Sequence, residues 1–191
     1  MNNNNDKLDQ YSDDEIRDQI KNFYKNLEKE QQPEREKIKV LIVDDEERNL
    51  SVFQALFRRE FDVTTANSGK EAIDILDSGK KVHVIITDQR MPEMTGIEFL
   101  QNILQKHNKP IRVLLTGYSD INAVIDAINK GEVYRYLNKP FEKEDMKMLI
   151  NNAYEIYYLR EKAEKLQKDL ATANAQLEFM LRGKLLDDSE E

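Results

Sequence analysis

The sequence predicts an α/β fold: a doubly wound, five-stranded parallel sheet in the order 2-1-3-4-5, with a short N-terminal helix and a long C-terminal coiled-coil helix. Three observations predict it. From Lys39 onward, five short strand-like runs alternate with amphipathic stretches of helical period, which implies parallel βαβ units with right-handed crossovers. The central runs are apolar at nearly every position, as strands covered on both faces are. After residue 142 the helical pattern does not stop, and its apolar positions step alternately by three and four, the register of a coiled coil.

Each element has its own signal. Residues 1–11 are rich in Asn and Asp and read as a disordered tail. Ser12 and Glu15 have capping-box spacing, and Ile16, Ile20, Phe23 and Leu27 follow at helical spacing, so a helix covers roughly 13–30. It is too short to make a core of its own. The first strand, 40–43, ends in Asp44-Asp45-Glu46, and the helix after it turns Leu50, Phe53, Leu56 and Phe57 inward. A short strand follows at 63–66. Ser68 and Glu71 form a second capping box, and Gly79 closes that helix. The third strand, 82–87, opens into Asp88 and a loop carrying Pro92 and Gly96. Thr95 and Glu98 cap the next helix, which runs to about His107. The fourth strand, 111–115, ends in Thr116-Gly117, and Ser119 caps a helix closing at Gly131. The fifth strand, 134–137, ends in Asn138-Lys139-Pro140.

The last helix continues through Leu149, Asn152, Ile156, Leu159, Ala163, Leu166, Leu170, Ala173, Leu177 and Met180. At about 1.5 Å per residue it is roughly 60 Å long, and the globular domain covers only its first turns. The remainder calls for a partner helix. A parallel homodimer is favoured, with Asn152 fixing register. The chain thus divides into an N-terminal tail and helix (1–37), a globular domain (38–150), a coiled-coil extension (151–186) and a polar tail (187–191).

Composition narrows the function. The 191 residues carry 29 Lys and Arg against 37 Asp and Glu, a net charge of −8, which argues against nucleic acid as the main partner. The chain has no cysteine, so disulfides, thiolate catalysis and cysteine metal sites are excluded. His83 reads as strand packing and His107 as surface, and neither reads as a phosphohistidine or a metal ligand. No apolar run approaches the roughly 20 residues that span a bilayer, and the N-terminus lacks a signal-peptide core. A soluble cytoplasmic protein without membrane insertion is the plain reading.

In the order 2-1-3-4-5 the C-terminal strand ends bring Asp44, Asp45, Asp88, Thr116 and Lys139 to one edge, at the topological switch point. Three carboxylates with a single lysine call for a divalent ion, and an all-oxygen site with open water positions suits Mg²⁺. Asp88 beside that ion is placed as a phosphoryl-accepting nucleophile. Mg²⁺ and Lys139 neutralise the transferring group, and the Thr116 hydroxyl bonds one of its oxygens.

These residues closely resemble the receiver domain of two-component response regulators, a flavodoxin-like fold. The resemblance covers about 38–150 and rests on Asp44-Asp45, on the run Asp88-Gln89-Arg90-Met91-Pro92-Glu93-Met94-Thr95-Gly96, on Thr116-Gly117 and on Lys139-Pro140. It implies phosphotransfer to Asp88 from a sensor histidine kinase or phosphotransfer protein. It implies Mg²⁺ ligation by Asp45 and Asp88 with the backbone carbonyl of Arg90, and by Asp44 directly or through water. It further implies Thr116 moving toward the phosphoryl group, Tyr136 turning inward, a cis Lys139-Pro140 bond, and Arg90 and Tyr118 at positions that set phosphoryl lifetime.

The expected function is a response regulator of a phosphorelay, a phospho-acceptor rather than an enzyme. It transmits the change through the fourth helix, fifth strand and fifth helix to a dimeric coil and an unknown downstream protein. The alternative is a regulatory fragment joined through the coil to a cyclase, phosphodiesterase or phosphatase. The initial Met and the polar tail favour a complete chain over that alternative. A metal-dependent phosphatase is disfavoured because its nucleophile would lie on the first strand, and a DNA-binding regulator because no basic helix-turn-helix follows.

Overall fold

The computed structural model describes residues 21, 36–117 and 121–187. The chain divides into two compact units, Met1–Lys37 and Ile38–Glu191. The expected tail at 1–11 and all but Lys21 of the expected helix at 13–30 lie outside the described residues.

In the second unit the described elements alternate in chain order: β1 (Lys39–Val43), α1 (Glu47–Phe57), β2 (Asp62–Ala66), α2 (Gly69–Asp77), β3 (Val84–Asp88), α3 (Gly96–Leu104), β4 (Ile111–Thr116), α4 (Ile121–Asn129), β5 (Arg135–Asn138) and α5 (Lys143–Asp187). The strands form one sheet in the order β2-β1-β3-β4-β5, and every pairing is parallel. Both β3 and β4 are buried along their whole length. Strands β2 and β5 lie at the edges and are only partly covered, which lets their sequences carry Thr and Arg.

Side chains alternate across a strand, and the alternation sorts the interior into two cores. Val40, Ile42, Val84, Ile86, Val113 and Leu115 pack with Phe53 and Phe57 of α1 and Met146 and Ile150 of α5. Leu41, Val43, Ile85 and Leu114 face α2, α3 and α4 through Leu76, Phe99, Leu100 and Ala127. Phe57 and Phe99 are wholly enclosed, and side chains of this kind stabilise by about 1.5–3 kcal/mol each.

Local signals set the helix ends. Thr95 and Glu98 make the complete reciprocal capping box. Ser68 accepts from the Glu71 N–H, but the Glu71 carboxylate accepts from Asn67 N–H rather than Ser68. Gly79 and Gly131 stop α2 and α4 at φ +82° and +73°, a conformation that residues with a Cβ rarely take.

Four expectations need correction. Strand β3 begins at Val84 and takes in Asp88. Helix α3 stops at Leu104, short of His107, where Lys106 and His107 reach across to Asp77. Leu56 is 42% exposed, because the buried stripe of α1 is 50, 53 and 57 and residue 56 falls about 100° away. Leu149 belongs to the domain core rather than to a free seam. His83 is buried as expected: its ring lies 5.0 and 4.8 Å from those of Tyr154 and Tyr157, and its Nδ1 accepts from Lys39 N–H at 3.1 Å.

Helix α5 docks through Met146, Leu149, Ile150, Ala153 and Tyr157, one face of a 3.6-residue period. Lys143 and Lys147 both pair with Glu60 in the turn after α1, at 3.3 and 2.5 Å. Past Tyr157 the apolar positions turn outward: Leu159, Leu166 and Leu170 are 54, 59 and 63% exposed. Lys109, from the α3–β4 connection, pairs with Glu161 and Glu164 at 2.6 and 3.3 Å. No helix among the described residues is long and apolar enough to cross a membrane.

Candidate functional site

Alternation also decides which strand-end side chains meet. Asp44 continues the line of Val40 and Ile42, Asp88 that of Val84 and Ile86, and Lys139 that of Leu137, all on the α1/α5 face. They converge. The Lys139 ammonium lies 2.9 Å from Asp44 Oδ2 and 2.5 Å from Asp88 Oδ1. Asp44 and Asp88 are only 2 and 9% exposed, so their charges depend on these partners rather than on water. Asp44 also accepts from the Glu46 N–H at 2.9 Å and from the Asn49 carboxamide at 3.0 and 3.2 Å. Asp88 Oδ2 accepts from Arg90 N–H at 2.9 Å. Burial works against the Lys139 charge, but Asp88 and Asp44 outweigh it and hold its pKa above the ordinary lysine value.

Asp45 does not join them. It lies in the bend that follows β1. It is exposed and lines a separate hollow with Glu47, Asn67 and Glu71. Among the described residues no three Asp, Glu or His side chains converge as a ready-made metal group. Of the three expected carboxylates, Asp44 and Asp88 meet through Lys139, and Asp45 lies one residue beyond Asp44 on the solvent side. The donors nonetheless fit magnesium in kind. They are hard oxygens, and solvent-facing Asp45 leaves room for the waters this ion keeps.

Thr116 and Tyr136 belong to the opposite face. Thr116 follows Leu114, is 1% exposed, and donates its hydroxyl to the Gly117 carbonyl at 3.0 Å. Tyr136 is half-buried against the second core. Arg90 is exposed, and Tyr118 and Ser119 lie outside the described residues. The Lys139-Pro140 peptide is cis.

The loop after Asp88 is held on two sides. Gln89 N–H donates to the Leu115 carbonyl at 2.9 Å, and the Gln89 carbonyl accepts from Gly96 N–H at 3.0 Å. Gln89 Oε1 accepts from Ile97 N–H at 3.2 Å. Glu93, at φ +64°, centres a tight turn closed by Met94 N–H to the Pro92 carbonyl at 2.7 Å. Gly96 is required by close approach, since a Cβ there would collide with the Asp88 carbonyl and stand 2.8 Å from Leu114 Cδ1. Overpacking costs about 1–3 kcal/mol, and Ala regains at most about 1 in helix propensity. Gly96→Ala is therefore expected to lose about 2 kcal/mol, read as a lowered urea midpoint at unchanged slope.

Two residues of the site were given no role by the sequence. Asn49 reaches Asp44 from α1 and Gln89 latches the loop. Both are common polar residues whose roles depend on how the helices sit.

Residues 40–151 match the family model of the response regulator receiver domain. The chain is 30% identical over 125 residues to the hydrogenase transcriptional regulatory protein HoxA of Bradyrhizobium diazoefficiens, covering 65% of this chain and 26% of that protein. It thus spans about a quarter of that relative's length. A crystal structure described as adenylate cyclase from Rhodopirellula baltica superposes with a TM-score of 0.68 at 34% identity, covering 70% of this chain and 98% of that one. A response regulator receiver domain protein from Clostridium thermocellum gives 0.60 at 31% identity, covering 64 and 98%.

Proposed function

The chain belongs to the response regulator receiver domain family, a phospho-acceptor signalling module phosphorylated by histidine kinases, and we propose that Asp88 is its acceptor. The observation that carries this is the Lys139 ammonium bridging Asp44 and Asp88 at neighbouring strand ends. An Asp88 carboxylate oxygen attacks phosphorus, the P–N bond to the donor imidazole breaks, and its electron pair stays on that nitrogen, which takes up a proton. Asp45, Asp88 and the Arg90 carbonyl, with Asp44 directly or through water, would hold Mg²⁺, which would supply positive charge to the phosphoryl oxygens. Lys139 supplies the fixed protein cation there, and Arg90 N–H donates to the same carboxylate. Thr116 leaves the Gly117 carbonyl for a phosphoryl oxygen, and Tyr136 follows it inward. A hollow of about 320 Å³ against Asp44 and Lys139, lined by Val52, Leu56, Pro140 and Phe141, supports an approach for a donor protein.

A small-donor comparison tests this. With Mg²⁺, phosphoramidate and acetyl phosphate are expected to phosphorylate the chain, whereas p-nitrophenyl phosphate is not turned over. Steady monoester turnover would favour a phosphatase instead.

The output we infer is a parallel homodimer through α5, feeding an unidentified protein target. Supporting it are the outward seam of Leu159, Leu166 and Leu170 and the charges beside it. In a parallel pair, Glu155 faces the partner's Arg160, and in this chain both are exposed. Leu166→Glu is expected to convert a dimer to a monomer in sedimentation while leaving the receiver's circular dichroism unchanged. Equal association of the variant and native chains would reject the coil. Because the chain spans only a quarter of HoxA, a regulatory fragment of a larger protein is the second reading, with the coil as the joint.

A further inference from the structure

Among the described residues, one buried side-chain polar atom has no hydrogen-bond partner, Asn138 Oδ1. Buried polar groups are nearly always satisfied, so an orphan calls for an explanation. Asn138 ends β5 and lies in register with Thr116 on β4, as Tyr136 does with Leu114. Alternation puts Tyr136 and Asn138 on the same face as Leu114 and Thr116. The orphaned acceptor therefore sits beside the residues assigned to the switch, on the face away from Asp44, Asp88 and Lys139. An aliphatic residue would fill the same space without the polar cost.

We propose that Asn138 is a positioning residue of the switch: its carboxamide oxygen lacks a donor in the resting arrangement and gains one from the Tyr136 hydroxyl when that ring turns inward. This rests on the reading of Asp88 as acceptor with Thr116 and Tyr136 responding. Two residues of strand span about 6.6 Å, within the length of a tyrosine side chain laid along the sheet. Thr116 is not the donor, because its single hydroxyl proton goes to the Gly117 carbonyl at rest and to the phosphoryl group afterward. The unsatisfied oxygen raises the resting state relative to the switched one. The residue before the site lysine thereby sets how readily phosphorylation is felt.

Beryllofluoride with Mg²⁺, as a phosphoryl mimic, tests this on the full chain with Asn138→Leu, Tyr136→Phe and the double variant. Each single variant is expected to raise the half-saturating beryllofluoride concentration about 2- to 10-fold, the worth of one hydrogen bond. The double variant is expected to add nothing further, since both changes remove one interaction. Without beryllofluoride, Asn138→Leu is expected to raise the thermal midpoint. A lowered midpoint, an unchanged mimic affinity, or singles whose effects multiply would each overturn the proposal. Tyr136→Phe leaves Asn138 in place and tests the same bond from its donor side. A native chain that does not respond to beryllofluoride sinks the Asp88 reading and this one together, whereas a native response with unaffected variants sinks only the role of Asn138.

Discussion

Asp88→Asn is expected to take up no phosphoryl group from acetyl phosphate at any Mg²⁺ concentration, and to remain folded. Asp88 provides the attacking oxygen, and a carboxamide is no substitute nucleophile. The fold is expected to tolerate the change because the amide keeps the shape and an oxygen for Arg90 N–H, the partner of Asp88 Oδ2. Lys139 retains Asp44 at 2.9 Å, so its ammonium is not left without an anion. Intact mass after incubation, with circular dichroism as the control for folding, reads both expectations.

Lys139→Met is expected to slow phosphoryl uptake by about two to three orders of magnitude, the usual cost of removing one preorganised donor from a developing charge. The methionine stem packs where the lysine stem did, while Asp44 and Asp88, nearly buried, lose the cation between them. A second signature follows from the raised Lys139 pKa, a balance in which burial is outweighed by Asp88 and Asp44. A group whose folded pKa is raised gives stability that is complete below its ordinary value and lost as pH rises through the folded one. For Lys139 the ordinary value is 10.5, so the native chain is expected to lose stability in strong alkali along a limb that Lys139→Met lacks. Stopped-flow uptake kinetics and urea titrations at two alkaline pH values measure the two effects.

Much of this was legible because βαβ folds write themselves in β-branched runs. The order β2-β1-β3-β4-β5, and with it the meeting of Asp44, Asp88 and Lys139, followed from where the runs ended. The place of Asp45 was less legible. Adjacent acids look equivalent in sequence, yet Asp44 is buried and pairs with Lys139, whereas Asp45 lies in the exposed bend that follows. Leu56 was misassigned for a related reason, since leucine at 56 and phenylalanine at 57 are equally apolar but about 100° apart on the helix. The roles of Asn49 and Gln89 were unreadable, because a hydrogen bond from α1 to the end of β1 or from a loop to α3 depends on docking rather than on local pattern. In α5 the seam was read back to Leu149, but the receiver takes that residue into its own core, and the outward run begins at Leu159.

The most direct measurement locates the phosphoryl group in the native chain: tandem mass spectrometry of peptides after incubation with acetyl phosphate, with and without Mg²⁺. One phosphoryl group on the peptide holding Asp88, formed only with Mg²⁺, is the expected result. No uptake, or a phosphoryl group carried on any other residue, would contradict the assignment of Asp88 as the acceptor.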